Sequence, residues 1–377
     1  MKPHAIEKIR NIGFVSHGGA GKTSLAEAIL FHSGANSRIG KVDDGTSIMN
    51  YDPEEIKRKT TLGSSLAFIE WKEHKFNILD NPGFDDFIGE VHKVVTAIDS
   101  AIVVVNSSSG VEVGTEKNWK ILNSYNVPRI VFLSKLDKEN INLEKVFSEL
   151  KTFDPRITPI QVPLGTGQNL RGVIDLIEMK ALADTDESGK KTELTDIPAE
   201  FLSHAQKLRE PMIESIVECD DDLLNKFFDG NPISNDELRS ALKIGITKNK
   251  IKPLLCGMSL KNIGTEPLLD FIMNCMPSPL DRGPVEAQVP GGTTKQMVAP
   301  SIDSPASGFI FKKINEQAGD ILFIRCVSGK FVSGNEYMNT TKDNFERLSN
   351  FSTLRGKAKT DLEMLTAGDI AVLVKPK

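Results

Sequence analysis

Cysteine is scarce: Cys219, Cys256, Cys275 and Cys326 are the only four in 377 residues, and no two form a Cys-x-x-Cys pair. That argues against a disulfide framework and the usual zinc spacings, and leaves plain reduced thiols, as expected in cytosol. Long apolar runs are missing too, since nothing approaches the roughly 20 residues that a membrane span needs. Met1 to Arg10 is polar, without the apolar core of a signal peptide. A strong charge of one sign is also lacking: 46 Lys and Arg stand against 51 Asp and Glu, for a net −5. No global field draws in nucleic acid, so any RNA contact must come from a local patch. No internal repeat is present. What remains is a soluble cytoplasmic chain with no membrane partner, expected to be monomeric and long enough for two or three domains.

Short apolar runs at Ile12–Val15, Phe76–Leu79, Ala101–Val105 and Arg129–Leu133 read as strands buried on both faces. Between them lie helical patterns at Thr23–Ser33, Asp86–Ile98, Glu116–Tyr125 and Leu143–Leu150. The alternation predicts a doubly wound α/β domain with a mostly parallel sheet. From about 163 to 252 the texture changes to charged, amphipathic segments, including a polar stretch at Asp184–Thr195 and helices near Ala199–Cys219 and Asp236–Ile246. This reads as an α+β subdomain inserted before a last strand, Pro253–Gly257, and a closing helix, Glu266–Met276. The first domain is therefore expected to cover 1–280. Residues Pro290–Ser307, rich in Pro, Gly, Ser and Thr, read as a loop or connector. Beyond it Gly308–Ile314, Asp320–Ser328, Phe331–Met338 and Asp369–Val374 predict strands of a small β-barrel over 281–377.

One segment carries an explicit chemistry. Ser16-His17-Gly18-Gly19-Ala20-Gly21-Lys22-Thr23, followed by Ser24, comes after the first strand and opens a helix. It fits G-x-x-x-x-G-K-[ST] except that Ser16 replaces the first Gly. Glycines let successive amides point inward at phosphate oxygens, and a helix N-terminus adds a favourable dipole. Lys22 would reach the β- and γ-phosphates, and the Thr23 hydroxyl would ligate Mg²⁺. Asp80-Asn81-Pro82-Gly83 ends another strand: Asp80 suits the metal side and the Gly83 amide suits the γ-phosphate. Ser134-Lys135-Leu136-Asp137 ends a third. There Asp137 can accept both N1–H and N2–H₂ of guanine, and Lys135 can lay its stem along the base.

In their order these motifs resemble translational GTPases, and among them the elongation factor G family. Ile39-Gly40-Lys41-Val42, Asp44-Gly45 and Glu55–Thr61 resemble its first switch, and Leu170–Leu176 resembles the entry to its inserted subdomain. Pro253–Gly257 with Met258-Ser259 and Lys261-Asn262 resembles its fifth nucleotide motif. Phe323-Ile324-Arg325, Ser328-Gly329 and Asn339–Lys342 resemble its second-domain barrel. The resemblance implies GTP/GDP and Mg²⁺ as ligands and the ribosome as partner. It gives Thr61 as the switch threonine, with Thr60 as rival. It also implies a catalytic trio of Lys22, Thr61 and Gly83, a metal set of Thr23, Thr61 and Asp80, and a base loop at Met258 and Ser259. Lys57-Arg58-Lys59 could touch ribosomal RNA or simply form a solvated face.

The chain also departs from the family. A catalytic His usually follows the Gly of the Asp-x-x-Gly motif, and here Phe84 stands instead; a phenyl ring cannot orient water, and such a group is worth roughly 10²–10⁴ in rate. Ser134 replaces the usual Asn, Gly19 an acidic residue, and Met258-Ser259 a Ser-Ala pair. The family pattern also continues past Lys377 with three more domains, so a fragment, or a naturally short form, is expected. These features predict a GTP-dependent ribosome factor with impaired hydrolysis. The rivals are a nucleotide sensor without significant turnover and a structural protein with a dead P-loop.

Overall fold

The computed structural model describes residues 2–374 except Asn140, Thr185, Glu187, Gln317 and Ala318. Its central sheet grows from β1 (Ile9–Val15), a strand buried at every position. Then follow α1 (Lys22–His32), α2 (Pro53–Arg58), β2 (Ser65–Trp71), β3 (His74–Asp80), α3 (Ile88–Val95), β4 (Ser100–Asn106), α4 (Val113–Ser124), β5 (Arg129–Ser134) and α5 (Leu143–Phe153). After β6 (Ile157–Pro159), an antiparallel sheet of β7 (Gln161–Leu164), β8 (Gly172–Asp175), β9 (Lys180–Asp184) and β10 (Thr192–Thr195) precedes α6 (Ala199–Val217), α7 (Asp221–Phe228) and α8 (Asn235–Thr247). The chain returns to the central sheet as β11 (Lys252–Cys256) and closes with α9 (Thr265–Cys275).

The strand order is β2-β3-β1-β4-β5-β11-β6, parallel throughout except for the β2–β3 pair. Ile12 and Phe14 face Leu25 and Ile29 of α1, whereas Val15 and Val103 face Val91 and Val94 of α3. Burial on both faces is why these strands read as continuous apolar runs. Strand order reverses direction at β1, so the crevice beyond its carboxyl end is the topological switch point where α/β sheets bind ligands.

The C-terminal third is β-rich. Ser307–Glu316 pairs with Gly319–Ser328, that strand with Ile370–Val374, and that in turn with Phe351–Arg355. Arg355 meets Ala67 of β2, which joins this layer to the central sheet. Three expectations need correction. Within Pro290–Ser307, Lys295–Val298 pairs with Val285–Gln288 as a hairpin, because backbone pairing tolerates its polar side chains. Phe331–Met338 is two strands, Lys330–Val332 and Glu336–Asn339, broken at Gly334, whose φ of 89° no strand accepts. The helix expected from Asp86 starts at Ile88, after a 3₁₀ turn. In the polar stretch Asp184–Thr195, Thr192–Thr195 pairs with β9, while Thr185 and Glu187 lie outside the described residues, as do Lys375–Lys377. No helix among the described residues is long and apolar enough to cross a membrane.

Candidate nucleotide site

Between β1 and α1 the backbone turns through left-handed Gly19 (φ 77°) and Gly21 (φ 106°), conformations that L side chains adopt at a cost. Gly21 caps α1 without any side-chain acceptor, so the first-turn amides of Lys22 to Ser24 are suited to an anion. Ser24 is half-buried on that turn. The buried Lys22 folds back over its own loop, with Nζ 3.0 Å from Ser16 Oγ and 3.2 Å from the His17 carbonyl. Burial drives the ammonium down to about 8, against the opposing charge of Asp80. The His17 side chain points away from Lys22 toward the start of α4, with Nε2 3.6 Å from Glu112.

Asp80 ends β3 with no solvent exposure. Its Oδ2 accepts from Thr23 Oγ1 at 2.6 Å, whereas Oδ1 has no partner. Burial raises this carboxylate to about 6, and the Lys22 charge and the Thr23 hydrogen bond pull it part of the way back. Of the threonine pair, Thr61 reaches this corner: its Oγ1 lies 3.1 Å from Thr23 Oγ1. One carboxylate and two hydroxyls suit a magnesium ion, which takes few protein ligands and completes its shell with phosphate oxygens and waters. Among the described residues there is no cluster of three His, Cys, Asp or Glu that could hold a metal alone.

Gly83 closes the corner. A Cβ there would collide with Lys22 Nζ and lie 2.8 Å from the backbone of Gly18, so the segment after Asp80 approaches the loop only because this residue has no side chain. Phe84, 50% exposed, sets its ring edge 3.2 Å from where a Gly18 Cβ would stand. The aromatic ring thus covers the loop from outside.

Ser134 Oγ lies 2.6 Å from the Ala20 carbonyl and 3.1 Å from that of Val105, tying the end of β5 to the phosphate loop with one hydrogen for two acceptors. Lys135 adopts φ 60°, an unusual backbone held by Ser107 Oγ donating to its carbonyl at 3.0 Å. Lys135 and Asp137 are half-buried. Strand β11 runs beside β5, and the Gly257 amide donates to Leu133 O at 3.0 Å, so buried Met258 and Ser259 emerge next to Ser134. Lys57, Arg58 and Lys59 are exposed at the end of α2, with Arg58 paired to Glu54 at 2.5 Å.

The family profile of the elongation factor Tu GTP-binding domain matches residues 7–278. The chain belongs to that family, the translational GTPases. It is similar to elongation factor G of Granulibacter bethesdensis, 34% identical over 380 residues, which covers 99% of this chain and 55% of that protein. A crystal structure of a Thermus thermophilus protein matches with a TM-score of 0.86 at 30% identity, over 98% of this chain and 52% of that one. The chain therefore spans about half the length of these relatives. In this translational GTPase, sequence reading missed several residues around the site. Glu27 and Asn50 are buried polar groups in no motif, and Leu260, 52% exposed, follows the buried Ser259. Only a polar residue at an apolar helix position, Glu27 within α1, was a signal that could have been noticed.

Proposed function

We propose that this chain is a GTP/GDP switch of the elongation factor G type, acting at the ribosome in the cytoplasm as a monomer, with hydrolysis slowed by Phe84. In this reading residues 1–280 form the GTP-binding domain, with an insertion at about 163–252, and 281–377 form a second domain of barrel type. The observation that carries the proposal is the buried corner of Lys22, Thr23, Thr61 and Asp80, with Asp80 Oδ1 lacking a partner. Lys22 and the α1 amides would neutralise the β- and γ-phosphates. Magnesium, held by Thr23, Thr61 and Asp80, would supply further charge neutralisation when bound. Asp137 would select guanine, with Lys135, Met258, Ser259 and Leu260 around the base. Lys57 to Lys59 are exposed to meet RNA phosphates.

A second reading, a nucleotide sensor with negligible turnover, draws support from Phe84, which lies against Gly18 and has no proton to give. Titration with labelled GTP, GDP and ATP tests the common part. Tight guanosine binding with ATP at least about a hundredfold weaker is expected, and no preference would overturn both readings. Single-turnover hydrolysis with and without ribosomes then separates them. Slow cleavage that ribosomes accelerate, with Phe84→His raising the rate at least about tenfold, favours the enzyme. Flat kinetics in the unaltered chain favour the sensor.

A further inference from the structure

The two threonine hydroxyls at the metal corner have one hydrogen each, and the direction of each hydrogen decides whether a cation can enter. Thr23 Oγ1 donates to Asp80 Oδ2 at 2.6 Å, so its lone pairs are free on the side of Thr61. Thr61 Oγ1 donates to Asn50 Oδ1 at 3.1 Å, which turns its lone pairs toward Thr23. With both hydrogens directed outward, two hydroxyl oxygens 3.1 Å apart face each other without a proton between them, beside the unpartnered Asp80 Oδ1. That arrangement repels itself and attracts a cation. If the Asn50 amide were turned over, its N–H₂ would donate to Thr61, the Thr61 hydrogen would swing to Thr23, and the pair would satisfy itself.

Asn50 is held through its backbone and its Oδ1, since its Nδ2 has no partner. It is 2% exposed, and its backbone amide donates to Ser47 Oγ at 3.1 Å. Ser47 in turn donates to Glu27 Oε1 at 2.7 Å, which also takes the Met49 amide at 3.0 Å. Glu27 is wholly buried on α1, the helix that begins with Lys22 and Thr23. A closed circuit thus runs from the first turn of α1 through Glu27, Ser47, Asn50 and Thr61 back to Thr23. It fixes the segment bearing Thr61 to the phosphate-loop helix by side chains outside every nucleotide motif.

We infer that Asn50 is a positioning residue that sets the hydroxyl polarity of Thr61 and so makes the Thr23–Thr61–Asp80 corner competent for a divalent cation. The inference rests on the nucleotide-binding reading above, and its test keeps the two apart. Mn²⁺ binding to the full chain with a non-hydrolysable GTP analogue is followed by electron paramagnetic resonance, and nucleotide binding is measured separately in EDTA. Asn50→Leu, which keeps the shape and removes the acceptor, should weaken Mn²⁺ about tenfold and leave metal-free nucleotide binding unchanged within about twofold. Asn50→Asp, which can only accept, should hold Mn²⁺ at least as tightly as the unaltered chain. A merely structural role would make both variants lose nucleotide and metal together, and that result overturns the inference, as does equal Mn²⁺ affinity in all three proteins. No guanine nucleotide or Mn²⁺ binding by the unaltered chain would overturn the nucleotide reading itself.

Discussion

Strand β3 carries two buried polar sites that look alike in composition and differ in how completely they are partnered. Near its start, Lys75 Nζ reaches both oxygens of Asp369, at 2.8 and 2.7 Å, and Asn77 donates to the same carboxylate at 2.8 Å. Alongside, Asp99 takes Arg325 on both oxygens, at 2.9 and 3.1 Å, and Asn11 at 2.6 Å. Every carboxylate oxygen in this seam, which joins the central sheet to the β-rich third, has a partner, although Asn77 Oδ1 and Arg325 Nη1 there have none. At the other end of the strand Asp80 has one oxygen satisfied and one bare, and the nearby Lys22 donates its hydrogen bonds to its own loop. A buried charge with all its hydrogen bonds is a piece of structure. Bare polar atoms occur elsewhere, at Glu27 Oε2 and Arg325 Nη1, but Asp80 Oδ1 is bare beside two hydroxyls and the Lys22 loop, a corner suited to a cation.

Breaking each site should therefore do opposite things. Asp369→Ala leaves Lys75 buried and unpaired, and should cost about 3–5 kcal/mol in urea unfolding while guanine-nucleotide affinity stays within about twofold. A loss under about 1 kcal/mol would mean the seam is slack and the comparison is wrong. Asp80→Asn should act in the other direction. Because burial holds this carboxylate at about 6 instead of 3.8, its ionised form penalises the ligand-free fold. Removing the charge should stabilise that fold by about 2–3 kcal/mol at neutral pH, and magnesium-dependent retention of nucleotide should be lost.

The pH dependence carries the same sign. Between 3.8 and about 6 the folded chain binds more protons at Asp80 than the unfolded chain does, so this group makes stability fall as pH rises through that window. Asp80→Asn should lack that slope. Lys22 works in reverse: with its folded value at about 8 below the ordinary 10.5, the unfolded chain holds the extra proton, and ligand-free stability should rise between those values. Phosphate beside the ammonium should restore its pKa, so saturating nucleotide should flatten the alkaline slope. Unfolding measured across pH with and without GDP checks both.

The contrast also explains what could be read from sequence. Residues 12–15, 76–79, 101–105 and 129–133 declare strands because double burial makes them apolar at every position, and glycines and prolines mark the phosphate loop locally. Strand β2 is missing from those runs although Leu66-Ala67-Phe68-Ile69 is as apolar and as buried as Phe76–Leu79, so its omission has no physical ground. The choice of Thr61 over Thr60 comes from the family resemblance alone, since adjacent threonines have equal chemistry and differ only in which side of the chain meets Thr23. Asn50, Glu27 and the Lys75–Asp369 pair are set by contacts between residues far apart in the chain, 20 positions for Glu27 and Ser47 and 294 for Lys75 and Asp369, and apart from the charge of Glu27 at an apolar helix position no local pattern reports them.

The smallest expected effect sharpens the comparison most, because it lies on the join between phosphate loop and base loop. Ser134 is buried, and its single hydrogen serves the Ala20 carbonyl at 2.6 Å or that of Val105 at 3.1 Å. Ser134→Ala removes that tie and should weaken guanine-nucleotide affinity by about 1 kcal/mol, or roughly fivefold. If Asp137 reads the base as proposed, the preference for guanosine over adenosine should not change. Stability against urea should move far less than in Asp369→Ala, because Ser134 offers one neutral hydrogen bond where Asp369 answers a buried ammonium. Isothermal titration with GDP and ADP separates the outcomes. An unchanged GDP affinity would place the brace between the two loops elsewhere, with the parallel pairing of β5 and β11 as the element left to hold Met258 and Ser259 next to Ser134.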